Sequence, residues 1–503
     1  MIKTRMRIFT IFILFLASYE ISASQDFSRT FSSQQLREDI RVLQEAFTTL
    51  HPGLYRYNSK QQVEDLFSDL NNKTGRPLSE KDFYLLLAKF TEKIHCGHTY
   101  LNPLNLEQGV SGFYMPQKVL PFCFVVTNRR FIITHNLSYD TTAALERGAE
   151  ITKINGIPVS EIIDSLLQVS RSDGRNAIEK KIANIELVPE LVNKYNLIDI
   201  FLPLFFTSIQ GNFMIETKSY DDKTAISRVE GISIMQRADA YRKRYGLIPS
   251  GENSLQAEIL NDSTCYLKIG TFGFWGARNA LTRLMDSLFL SLADNKQVSN
   301  LIVDIRNNEG GSTDAEISLL KYILPRDFAA REHQERAFYS FLKVPRQLIP
   351  FLSTWDNSFF ESRSENIFKK NESGFYEDPS SVNNKDFTIS PNRFKGHIYL
   401  MTGPVNSSAA FEAAWIFKQY QAGTIIGGRT GGTRQGLNGG RFFFLRLPYS
   451  GIEIDLPFIY QAHTGEPDEG IIPDYVVTVS QKGIYYGQDD QLDFVTGLIE
   501  KGK

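Results

Sequence analysis

Residues 396–414 read GHIYLMTGPVNSSAAFEAA. An apolar run leads into a Gly-Pro turn, then two adjacent serines, then an Ala-rich run of helical composition. The order predicts strand, sharp turn, Ser, helix. Ser is among the best helix N-caps, because its hydroxyl accepts from an otherwise unpaired N–H. Asn406, Ser407 and Ser408 can all be read that way. A Ser at such a junction also stands above a sheet edge, with a backbone N–H directly after it, as a nucleophilic Ser requires. A hydroxyl becomes a useful nucleophile only when a base takes its proton, so the rest of the chain has to supply one.

LIVDIRNNEGG, residues 301–311, repeats the strand-then-loop logic. Leu301, Ile302, Val303 and Ile305 fit a central strand of an α/β sheet, and function gathers at the C-terminal ends of such strands. Gly310 and Gly311 permit close approach of backbone to ligand. Their N–H groups could hold an oxyanion.

The chain has 503 residues, enough for about three domains at roughly 150 residues each. Its net charge of −2 gives no global field that would favour nucleic acid or an anionic membrane. The three cysteines, Cys96, Cys123 and Cys265, are too few for a disulfide-built scaffold. Lys3, Arg5 and Arg7 precede an apolar run from Ile8 to Ala17 and the small residues Ser22-Ala23-Ser24. This is a secretory signal pattern over 1–24. The run is shorter than the roughly 20 residues a spanning helix needs, so no stable membrane anchor is expected.

Residues 25–105 predict a helical N-terminal domain: LREDIRVLQEAFTTL and QQVEDLFSDL space apolar residues three and four apart, and Ser79 precedes a further helix. From 110 the pattern turns to β, with LPFCFVV and RFIITHNL. RGAEITKINGIPV follows, with Asn155-Gly156 as a hairpin signal. This order is similar to a PDZ domain, which binds extended peptides by strand addition, and 110–250 is assigned to it with an extension. Residues 255–503 form the remaining domain, with 343–396 read as an insertion or lid. Residues 170–250 carry no clear motif.

Four motifs, DIRNNEGG (304–311), NSSAAFEAA (406–414), GGRTGG (427–432) and EGIIPDY (469–475), follow one another over the C-terminal half. In this order they resemble the serine peptidase family of C-terminal (tail-specific) processing proteases and the tricorn core protease. HPGLYRY (51–57) and CGHTYL (96–101) resemble the amino-terminal region of its secreted members. The resemblance implies an α/β multidomain protein: a helical N-terminal region, a PDZ-like β domain and a C-terminal ClpP/crotonase-like catalytic domain. It also implies peptide or unfolded-protein substrates and no cofactor or metal.

Aligned to the family motif, Ser408 is the nucleophile, and Ala409 with Gly310 or Gly311 supplies the oxyanion donors. Processing proteases use a downstream Lys as base, but the matching position is Thr433. Arg429 and Arg434 stay protonated and cannot serve. Lys418 lies too far along the same helix. The tricorn-like solution uses a His, which points to His98, since imidazole is available as a neutral base near neutral pH. A Glu of the GIxPD region would orient it. Among Glu466, Asp468 and Glu469, Glu469 is the best candidate, with His463 an outside candidate for the base. HCGH (95–98) lacks the further ligands a metal site needs. A catalytically silent homologue that binds an apolar ligand or peptide is the alternative.

Overall fold

The computed structural model describes residues 29–102, 115–140, 142–276, 279–330, 336–364, 366–377, 386–463 and 465–502. The secretory pattern at 1–24 lies outside them. Among the described residues no helix is long and apolar enough to cross a membrane.

Three helices open the described chain: Ser33–Leu50, Lys60–Lys73 and Glu80–Glu92. Ser32, Ser59 and Ser79 cap them, each hydroxyl accepting from the N–H three residues on, which satisfies one orphan donor per helix. Their apolar faces, with Phe47, Phe67 and Phe90 in mutual ring contact, join the largest core cluster.

An antiparallel sheet follows, with Phe122–Thr127, Arg130–Asn136, Glu150–Ile154, Asn212–Lys218 and Thr224–Glu230 in that spatial order. Asn155 and Gly156 take φ of 50° and 80° and join Glu150–Ile154 to Ile157–Pro158. Two successive positive φ values are what a type I′ turn demands, so the Asn-Gly reading holds. Between these strands run the helices Val159–Leu167, Ile178–Ala183 and Leu197–Phe205.

The C-terminal half is built on a six-stranded sheet ordered Leu255–Asn261, Thr264–Ile269, Asn300–Asp304, His397–Thr402, Thr424–Gly427, Tyr475–Val476. All neighbours after the first pair run parallel. Every residue of Asn300–Asp304 is buried, as expected of a strand covered on both faces. Helices Ala280–Asp294, Thr313–Ile323 and Ala409–Gln419 supply apolar side chains to the core beside it.

A second, antiparallel sheet carries the hairpin Asn438–Arg446/Glu453–Ala462. Tyr100–Leu101 pairs with Glu453–Ala462 and so fastens the N-terminal region to this hairpin. The segment read as an insertion is woven into the same sheet: Leu352–Ser353 pairs with Asn438–Arg446, and Lys369–Lys370 and Tyr376–Glu377 extend it. Phe359 and Phe360 from this segment pack on Phe458 and Phe443 of the hairpin.

Candidate active site

The two loops singled out in the sequence leave adjacent parallel strands, Asn300–Asp304 and His397–Thr402, at their C-terminal ends. Asn406 ties them together. Its Oδ1 accepts from Gly403 N–H at 2.7 Å, and its Nδ2 donates to the carbonyls of Ile305 (2.6 Å) and Asn308 (2.9 Å). Its own carbonyl accepts from Gly431 (2.8 Å) and Gly432 (3.0 Å), which brings in the GGRTGG loop. Asn406 is fully buried, and this set of bonds pays its desolvation. It is a clamp beneath the turn rather than a helix cap.

Ser408 sits at the N-terminus of Ala409–Gln419 with φ 51° and ψ −135°, and its side chain makes no capping bond. A non-glycine residue in this region costs on the order of 1–3 kcal/mol and persists only where the surroundings impose it. The strain is an observation of the kind that accompanies a nucleophile on a strand-to-helix turn. Ser407 instead donates through Oγ to the carbonyl of Glu309 at 3.2 Å.

Gly310 packs directly on this turn. A Cβ there would lie 2.8 Å from Ser408 Cβ and 3.1 Å from Ala409 N, at a φ of 107°. The Gly310 N–H donates to Asn308 Oδ1 at 2.8 Å. The N–H groups of Gly311 and Ala409 make no hydrogen bond among the described residues, so of the two glycines Gly311 is the one with a donor to offer.

His98 lies in the turn that ends the third helix. Gly97 N–H donates to Asp173 Oδ1 at 2.8 Å, Thr99 Oγ1 meets His51 Nε2 at 2.8 Å, and Asn438 Nδ2 approaches Cys96 Sγ at 3.5 Å. The His98 ring stands 5.7 Å from that of Phe442. Burial lowers the His98 pKa below the usual imidazole value; Asp173 opposes this, and the cations Arg171 and Lys180 reinforce it. Neutral imidazole is the form a base needs. No hydrogen bond joins His98 to Ser408 among the described residues; the structural link between their surroundings is Lys180, which acts on His98 and donates to Val405 O at 3.0 Å.

Glu469 is the acid that the sequence offers to orient His98. Its carboxylate pairs with Arg434, which also meets Glu466 at 3.2 Å. Asp468 accepts from the N–H of Arg175 at 2.9 Å. The carboxylate whose charge bears on His98 is Asp173. His463 is buried against Trp415, ring centroids 4.0 Å apart, with Nε2 3.9 Å from Glu412 Oε1. Lys418 donates to Ile472 O at 2.7 Å. Arg171, Asp173 and Lys180 all come from 170–184, the stretch without a motif. Asp173 and Lys180 are buried and Arg171 half-buried by long-range packing, and nothing local in RSDGRNAIEKK distinguishes them from surface charges. Among the described residues no group of three or more His, Cys, Asp or Glu could hold a metal.

Residues 263–477 match the profile of Peptidase family S41. The likeness to this family covers somewhat less than half of the chain. Both loops, the Ser408 turn and the GGRTGG segment fall inside the S41 match, whereas His98, Asp173 and Lys180 precede it. The match supports a serine-type peptidase. Mature CPAF complexed with lactacystin superposes with a TM-score of 0.64 at 14% identity, over 93% of this chain and 98% of that one. Mature CPAF alone gives 0.63 at 14%, over 93% and 97%. At such identity the likeness speaks for the fold, and it extends well beyond the S41 segment. The photosystem II D1 C-terminal processing protease aligns more loosely, at a TM-score of 0.40 and 12% identity over 90% of this chain and 96% of that one. Among curated proteins none matches the chain significantly in sequence.

Proposed function

We propose that the protein is a secreted peptidase that hydrolyses peptide bonds through an acyl-enzyme formed on Ser408. Ser408 Oγ attacks the substrate carbonyl carbon while His98 accepts the hydroxyl proton. The oxyanion is held by the N–H groups of Gly311 and Ala409. Collapse of the tetrahedral intermediate breaks the C–N bond, and His98 returns the proton to the leaving amine. Water then attacks the ester, again with His98 as base, and frees the acid. Substrate binding draws the Ser–His contact together, as such contacts tighten in substrate complexes. Asp173 takes the supporting role first assigned to Glu469. The sheet over 122–230 acts as the PDZ-like module that receives an extended peptide or unfolded chain, and the segment at 1–24 directs export.

The observation that carries this reading is the Ser408 backbone, held at φ 51° with its hydroxyl unused by the helix and Gly310 packed against it. The test is mass-spectrometric profiling of a mixed peptide library with wild type and Ser408→Ala in parallel. Cleavage by wild type alone supports the reading. Cleavage by both variants refutes the role of Ser408, and cleavage by neither favours a silent binder of an apolar ligand or peptide.

A further inference from the structure

Lys180 is a buried cation in contact with the loops just described. It stands on the short helix Ile178–Ala183, in the half of the chain before the S41 match. Its side chain is 9% exposed. Its stem packs against Gly431, where a Cβ would come within 2.8 Å of Lys180 Cδ. Its ammonium donates to Val405 O at 3.0 Å and lies 3.5 Å from Glu309 Oε1. Val405 lies in the turn that carries Ser408, and Glu309 immediately precedes Gly310. One side chain therefore bridges both loops from which the nucleophile and the oxyanion donors are drawn.

Glu309 makes this contact chemically pointed. Its side chain is 61% exposed, and its backbone is held in place by Ser407 Oγ at 3.2 Å. A carboxylate next to the place where negative charge develops opposes the transition state, even where water partly screens it. The ammonium of Lys180 offsets it. The Lys180 cation in turn holds the Glu309 carboxyl below its usual range, so the carboxylate is present at neutral pH.

We propose that Lys180 is a positioning residue for the peptidase reaction: it holds the Ser408 turn against the Gly310–Gly311 loop and neutralises Glu309 beside the oxyanion site. This rests on the serine-peptidase reading above. It differs from a Ser–Lys mechanism, because the ammonium is occupied by Val405 O and Glu309 and takes no proton from Ser408.

The test compares full-length wild type with Lys180→Met, Lys180→Gln, Glu309→Gln and the double variant Lys180→Met/Glu309→Gln. Steady-state kinetics on a cleaved peptide and the rate of fluorophosphonate labelling are measured, with thermal melting alongside. Lys180→Met is expected to lower kcat about thirtyfold with KM within about threefold, since the loss falls on alignment and charge in the transition state. Lys180→Gln keeps a side-chain donor without charge and is expected to show a loss of similar size; it gives the readout if the Met variant does not fold. Glu309→Gln alone should change kcat less than about threefold, and in the Met background it should recover about tenfold, because the unbalanced carboxylate is gone. A purely structural lysine would give no such recovery. A folded Lys180 variant with wild-type kcat, or a double variant no better than the single one, overturns the proposal. Ser408→Ala is the control: labelling of wild type but not of this variant keeps the peptidase reading whatever the Lys180 variants do, and an unlabelled wild type overturns both.

Discussion

Asn406 donates to the carbonyl of Asn308 at 2.9 Å and so locks the loop after one central strand to the turn after its neighbour. Asn406→Ala strands Gly403 N–H and the carbonyl of Asn308 in a buried setting, and leaves the Ile305 carbonyl only the Asn308 N–H as donor. Each unsatisfied group costs about 1–3 kcal/mol. With partial relaxation the expected loss is about 2–4 kcal/mol, read by denaturant unfolding, together with loss of fluorophosphonate labelling. Unchanged stability would refute the clamp.

Ser408 is strained where glycine is not. Ser408→Gly should raise stability by about 1 kcal/mol, because glycine reaches positive φ without steric penalty. Ser408→Ala should leave stability nearly unchanged. Both should abolish hydrolysis. Melting curves of the two variants against wild type decide it, and a Ser408→Gly protein that melts earlier argues against backbone strain.

The His98 pKa lies below its ordinary value near 6.5, from burial first, with Arg171 and Lys180 adding and Asp173 opposing. The neutral ring is the active form, so kcat/KM should hold down to pH 6.5 and fall only below it. Asp173→Asn removes a charge that favours the protonated ring, so its acid limb should move to still lower pH, with kcat reduced about tenfold or more. Lys180→Met removes a cation, so its limb should move up. A pH–rate profile of each variant reads the sign directly.

Glu469 is held by Arg434 at a part-exposed position. Glu469→Gln should therefore change kcat/KM less than about threefold, in contrast to Asp173→Asn. The opposite ranking would return the supporting role to Glu469.

The sequence was most legible where chemistry and local pattern coincide. The buried run Leu301–Val303, the glycines at 310 and 311 and the Ser-bearing strand-to-helix junction each follow from short-range rules, as does the cap Ser79. Asn406 looked like one cap candidate among three, because its bonds to Ile305 and Asn308 cross about a hundred residues of chain. Lys180 was invisible for a related reason: a lysine on a six-residue helix is ordinarily solvated, and only the approach of Gly431 and Val405 buries it. Among Glu466, Asp468 and Glu469 the sequence offered three equivalent acids, and tertiary contacts alone assign Arg434 and Arg175 as partners.

His98 rests beside Phe442 and Asp173, while Ser408 rests on Gly310. These pieces are scattered across most of the chain, so no fragment released early in synthesis contains them all. A chain that ends before the C-terminal half holds His98 and Asp173 but neither Ser408 nor Gly310. Hydrolytic competence is among the last properties to arrive, after the slow closure of long-range contacts; on the proposed reading, catalytic competence therefore belongs to the closed long-range fold and to no single segment of it.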